Sequence, residues 1–286
     1  MRLGTLIRLA LVLSWLALFI PHVVGHAAPG LGLSARGGSA GMLAANVGKE
    51  FAYDLVRASG ELRLGTCRLG FLRVEKGFEL ETELRLDDVG RLAPGLGLLP
   101  QLREAKARDV RLQLTELLDD QQRLVSISAN GRAFGMDLVA DGTIAADGLH
   151  GTYTFAAGTA MPYHLPEIGG DAGQGSDLAL SLPPGLKPGD RFTTRLLSPD
   201  YARMRLGATT AVFTAVEQED IATAAGQLRL LKVEMQVDAR LMSHLWCDAN
   251  GTVYRSRQEA GGLELRLTRI RVVGGEILWP PEATIP

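Results

Sequence analysis

The sequence predicts a mainly β protein: a strongly curved antiparallel sheet of about a dozen strands, either an incomplete barrel or sandwich-like, with few short helices. Three observations lead there. In FELETELRL, residues 78–86, Phe78, Leu80, Leu84 and Leu86 alternate with Glu79, Glu81, Glu83 and Arg85. Strand side chains point to opposite faces with period two, so this stretch has one apolar and one wet face. The alternation returns in Leu231–Asp238 and Leu263–Thr268. No stretch beyond the N-terminal leader carries a long 3.6-residue period, so no helix is on hand to cover the apolar faces. A dozen uncovered faces would far exceed the roughly 300–600 Å² of apolar patch that soluble monomers expose. The sheet must therefore curl onto itself or pack against a second one.

The elements follow in order. Residues 1–27 carry Arg2 and Arg8, an apolar run from Leu9 to Ile20, then Pro21 and the small residues Gly25 and Ala27. That is the order of a secretory signal; an uncleaved N-terminal membrane anchor is the alternative. Residues 28–47 are a Gly/Ala-rich spacer. Within it, Gly37–Gly41 (GGSAG) matches the nucleophile elbow of hydrolases but lacks the strand and helix that motif needs. Residues 48–280 read as one β domain, with lobes 48–156 and 177–280 joined by an irregular stretch, 157–176, and 281–286 as a tail. Hairpin turns are expected at Asp119–Gln122, Asn130-Gly131, Asp141-Gly142, Asp147-Gly148 and Asn250-Gly251. The best helical candidate is 100–109.

Composition narrows the function. The chain has 286 residues, 46% hydrophobic and 22% charged, with a formal net charge of -2. It has no basic run, so nucleic-acid binding is not expected. Cys67 and Cys247 are the two cysteines. Export permits a disulfide between them; two buried free thiols are the alternative. His150, His164 and His244 stand in no H-x-H or H-x-x-x-H spacing, so no metal site and no cofactor are expected. Glu79, Glu81 and Glu83 read as a solvated face paired with arginines. The acidic pairs 87–88, 119–120 and 219–220 fall at expected turns. No catalytic residue is assigned, and the chain is not expected to be an enzyme.

Two features point to binding. GRLAPGLGLLPQLRE, 90–104, sets Leu92, Leu96, Leu98, Leu99 and Leu102 among glycines and prolines. Pro94 and Pro100 exclude a continuous helix or a central strand. An apolar loop must bury its leucines, either as a lid over the open end of a curved sheet or as a fixed cap. Trp246 is a candidate pocket residue, with core packing as its alternative.

LKPGDRF (186–192), the stretch around Glu217 that leads into QLRLLKVEMQV, and LWCDANGTVYRSRQEAGGLELRLTRI (245–270) share a rhythm of strands and turns. Together with 51–86, this resembles exported bacterial proteins of uncharacterised function, loosely related to the lipoprotein-carrier (LolA/LolB-like) superfamily. The resemblance implies an incomplete barrel whose concave apolar face holds a lipid-like ligand. The expected function is therefore a non-catalytic cell-envelope or periplasmic protein that binds an apolar ligand or an envelope partner, with membrane contact through residues 1–27. An exported hydrolase on a β-scaffold and a purely structural scaffold are the alternatives.

Overall fold

In a computed structural model, the described residues are 33–35, 46–57, 62–87, 110–121, 123–133, 136–155, 158–166, 174–176, 182–200, 205–237, 239–259 and 262–280. Every element among them is a strand. The first half supplies β1 (Leu33–Ala35), β2 (Lys49–Arg57), β3 (Arg63–Val74), β4 (Gly77–Leu86), β5 (Val110–Leu118), β6 (Leu124–Ala133), β7 (Met136–Ala145) and β8 (Gly148–Phe155). Two short strands follow, β9 (Met161–Leu165) and β10 (Gln174–Ser176). The second half supplies β11 (Arg191–Asp200), β12 (Arg205–Thr223), β13 (Gly226–Val237), β14 (Arg240–Cys247), β15 (Val253–Gln258), β16 (Leu263–Val272) and β17 (Ile277–Trp279).

All seventeen described strands belong to one antiparallel sheet. The count exceeds the expected dozen because β1, β9, β10 and β17 are three to five residues long. That is too short for alternation to show. β1 lies inside the Gly/Ala-rich stretch, and β9 and β10 lie inside 157–176.

Consecutive strands pair as meanders in each half. The halves meet where β2 pairs with β16, from Leu263↔Arg57 to Val272↔Lys49. The other edge of β16 takes β15 over Arg266–Glu264 and β17 at Ile270–Arg271. The sheet is not closed: the order ends at β9 on one side and at β1 and β10 on the other.

The alternation read from the sequence sets the faces. On β4, Phe78, Leu80, Thr82, Leu84 and Leu86 are buried, while Glu79, Glu81, Glu83 and Arg85 are not. Glu83 pairs with Arg68 and Arg85, as a solvated face would. On β13, Leu231, Val233 and Met235 are buried, and Lys232, Glu234 and Gln236 are half-buried. These residues join one continuous core that runs from β2 through β16 along the inner face of the sheet. The Tyr53 hydroxyl on β2 donates to the Val253 carbonyl on β15 at 3.0 Å, across β16. Side chains stand roughly perpendicular to a sheet, so this reach requires strong curvature.

Three turn expectations are corrected. Asn130-Gly131 and Asp141-Gly142 lie within β6 and β7, not at hairpin ends. Gly142 is needed for space: a Cβ there would fall 2.4 Å from the Tyr163 hydroxyl. Asn250-Gly251 is not a two-residue turn; the β14–β15 pairing stops at Cys247↔Val253, leaving a five-residue loop, 248–252. The Asp248 carboxylate accepts from the amides of Asn250 and Thr252 and holds that loop. The β7–β8 turn does fall at the Asp147-Gly148 signal, with Ala146 and Asp147 as its two residues because Ala145 pairs with Gly148, and the Asp119 carboxylate caps the turn that begins at Asp119 through the amides of Gln121 and Arg123.

Candidate functional site

The inner face is a set of cross-strand rows, and the rows change character from β2 to β9. One row is Tyr53, Cys67, Leu84, Leu112, Gly131 and Leu138. Tyr53, Cys67 and Leu84 are 1%, 0% and 1% exposed, whereas Leu112 and Leu138 are half-buried. The next row runs Phe51, Leu69, Thr82, Leu114, Ala129, Ala140, Tyr153 and Met161. It begins buried and ends with Met161 41% exposed. A third row, Phe71, Leu80, Glu116, Ile127, Gly142, Gly151 and Tyr163, also begins buried and ends half-buried at Tyr163, with Gly142 still buried on the way. Thr82 and Glu116 apart, the inner face thus stays apolar while it loses cover, leaving a half-covered trough over β5–β9.

The floor of the trough is shaped by backbone. The Tyr163 ring lies over Gly142 and Gly151; a Cβ on Gly151 would come within 2.5 Å of that ring and 2.1 Å of the Asp141 carbonyl. The ring thereby covers two strand glycines whose lack of side chain would otherwise open the sheet. Its hydroxyl donates to the Asp141 carbonyl at 3.3 Å, and burial raises its pKa. Two polar side chains interrupt the apolar wall at its inner end, Thr82 and Glu116, both buried. Among the described residues, the Thr82 hydroxyl has no hydrogen-bond partner.

The five lid leucines, Leu92, Leu96, Leu98, Leu99 and Leu102, lie outside the described residues, in the connection from β4 to β5. Residues 1–27 and the helical candidate 100–109 also lie outside the described residues. Among the described residues, no helix is long and apolar enough to cross a membrane.

Trp246 does not line the trough. Leu245 and Cys247 on either side of it join the inner core, while Trp246 packs on the outer face with Ile221 and Leu230. There its Nε1 donates to Glu219 Oε2 at 2.8 Å, and Lys232 Nζ donates to Glu219 Oε1 at 3.0 Å. Burial alone would raise the Glu219 pKa, but these two hydrogen bonds outweigh it and hold the carboxyl below its ordinary value. The Arg255 guanidinium sits 5.1 Å from the Trp246 ring centre and bonds the Glu264 carboxylate at 2.6 Å, which also accepts from Arg266. Glu264, on the polar side of the β16 alternation, is wholly buried by these partners.

Cys67 and Cys247 are free and buried, each within the inner core. Burial pushes both thiols up to about 12. That keeps them protonated and unreactive at neutral pH.

The chain does bring two histidines together, which local spacing could not reveal. His150 on β8 and His164 on β9 are direct cross-strand partners. Their rings stack at 4.1 Å with planes 15° apart. His150 Nε2 is 2.7 Å from Asp147 Oδ1, and His164 Nε2 is 3.0 Å from the Asp147 carbonyl. The His150 hydrogen bond, foremost, lowers the Asp147 pKa. The cluster lies on the outer face, since its neighbours Leu149, Gly151 and Tyr163 take the inner one. His244 is elsewhere, between Glu234 and Glu259.

No protein-family profile and no curated protein matches the chain. Two solved structures are similar to it. One is a Bacteroides fragilis protein, named as exported and as having a YmcC-like fold, with 12% identity, 78% of this chain and 95% of that chain covered, and a TM-score of 0.28. The other is a DUF1089 family protein from Pseudomonas aeruginosa, with 16% identity, 66% and 87% covered, and a TM-score of 0.32.

Proposed function

We propose that this is a non-catalytic, exported cell-envelope protein that holds an apolar, lipid-like ligand in the trough over β5–β9. The observation that carries this reading is the loss of cover along apolar rows: Tyr53, Cys67 and Leu84 are buried, yet Leu112 and Leu138 in the same row are half open. Covering those side chains would contribute roughly 25 cal/mol per Å² of apolar surface removed from water. The leader-like residues 1–27 and the carrier-like rhythm of 51–86 and 186–270 support export and the same ligand class.

The test is saturable binding of a fluorescent fatty acid, cis-parinaric acid, by the full chain. Leu112→Glu and Leu138→Glu place a charge on half-buried positions and should each weaken binding at least tenfold while leaving the β-rich circular dichroism spectrum unchanged. No saturable binding by the natural chain, or equal binding by both variants, would reject the proposal.

A further inference from the structure

Beyond the trough, the outer face of the same edge carries a second grouping. Asp147 sits in the two-residue turn of the β7–β8 hairpin, with Gly148 at φ 136° closing it. His150 follows three residues later, and the β8–β9 ladder sets His164 directly opposite. His150 and His164 are therefore held by strand pairing and Asp147 by the turn between paired Ala145 and Gly148, although His164 is more than a dozen positions from the other two in sequence. One ligand atom from each of Asp147, His150 and His164 lies within 4.8 Å of the other two.

We propose that Asp147, His150 and His164 form a binding site for a divalent transition cation of the zinc or copper class. Two imidazoles and one carboxylate suit these borderline cations better than magnesium or calcium, which prefer oxygen. Zinc bonds imidazole nitrogen at about 2.0–2.1 Å, which in a tetrahedron sets ligand atoms roughly 3.3 Å apart. The side chains are 66%, 43% and 44% exposed, so ring rotation can bring the two Nε2 lone pairs from parallel to convergent. In the bound form each imidazole is neutral, coordinates through Nε2 and carries its proton on Nδ1. Water fills the remaining position, as in other three-ligand sites open to solvent. The ion would then clip the edge strand β9 to the β7–β8 hairpin.

Isothermal titration of the tag-free full chain with zinc should show one saturable site. His150→Ala and His164→Ala should each weaken it at least tenfold, and His244→Ala should leave it unchanged. His164→Gln keeps the polarity and approximate size of the side chain and should show the same loss, which separates ligation from any effect of truncation. Zinc should also raise the melting temperature of the natural chain but not of the His150/His164 double variant. With copper(II), electron paramagnetic resonance should show coupling to two ring nitrogens. No saturable binding by the natural chain, or less than a tenfold loss in the variants, overturns the proposal, because the rings would then serve only as hydrogen-bond partners of Asp147.

Discussion

The Tyr53 hydroxyl and the Val253 carbonyl, 200 residues apart, share a buried 3.0 Å hydrogen bond across β16. It ties the first long strand to the strand beyond its neighbour and so marks where the sheet bends onto itself. Tyr53→Phe keeps the ring and leaves the buried carbonyl without this partner. We expect a loss of roughly 1–3 kcal/mol, read as a lower urea midpoint with an unchanged m-value.

Alkaline pH should destabilise the protein more than its surface charge would suggest. Burial pushes Cys67 and Cys247 up to about 12 and also raises Tyr53 and Tyr254. In the unfolded chain the thiols ionise near 8.5 and the phenols near 10. Above those values the unfolded state binds fewer protons than the native one, so stability falls as pH rises. It should be fully present below about pH 8 and fall between about 9 and 12. Urea titrations at several pH values would show this, with a shallower slope in a Cys67→Ala/Cys247→Ala double variant.

The same thiols give a chemical check. With both free and buried, a thiol reagent should label neither in the native protein and both in denaturant without any reductant. Labelling of neither in denaturant would show a disulfide instead.

Gly251→Ala should be strongly destabilising. Gly251 has φ of 80°, and a Cβ there would fall 1.8 Å from the Leu182 carbonyl. Strain and clash act together where Leu182 donates its amide to the Gly251 carbonyl. We expect a loss of about 2 kcal/mol or more, measured by thermal or urea denaturation.

Glu264→Ala should cost about 2–3 kcal/mol. It leaves Arg255 and Arg266 without their shared carboxylate beside Trp246, and removing one partner of a buried pair strands the other charge. Partial exposure of both arginines keeps the loss below that of a fully buried pair. Urea denaturation at neutral pH checks the magnitude.

The strands that alternate over six or more residues were legible in the chain itself. β4, β13 and β16 bury the alternate apolar positions read from FELETELRL, LLKVEMQV and LELRLT. Glycine pairs were less reliable guides. Asp147-Gly148 turns the chain, but Gly142 sits mid-strand because Tyr163, from another strand, needs its space. Short strands such as β1 and β10 carry too few residues for a period to declare itself.

By itself, then, the amino-acid order determined a curved antiparallel β-sheet, with its apolar rows turned inward and scarcely any helix to cover them. This is because period-two patterning is a local property of each strand. Only the tertiary structure decided that Trp246 packs outward against Glu219 and Arg255, that Cys67 and Cys247 stay free thiols, and that His150 and His164 stack over Asp147. Those outcomes depend on which strands become neighbours, on bulges such as the one between Trp246 and Cys247, and on register, where a shift of one residue exchanges the two faces.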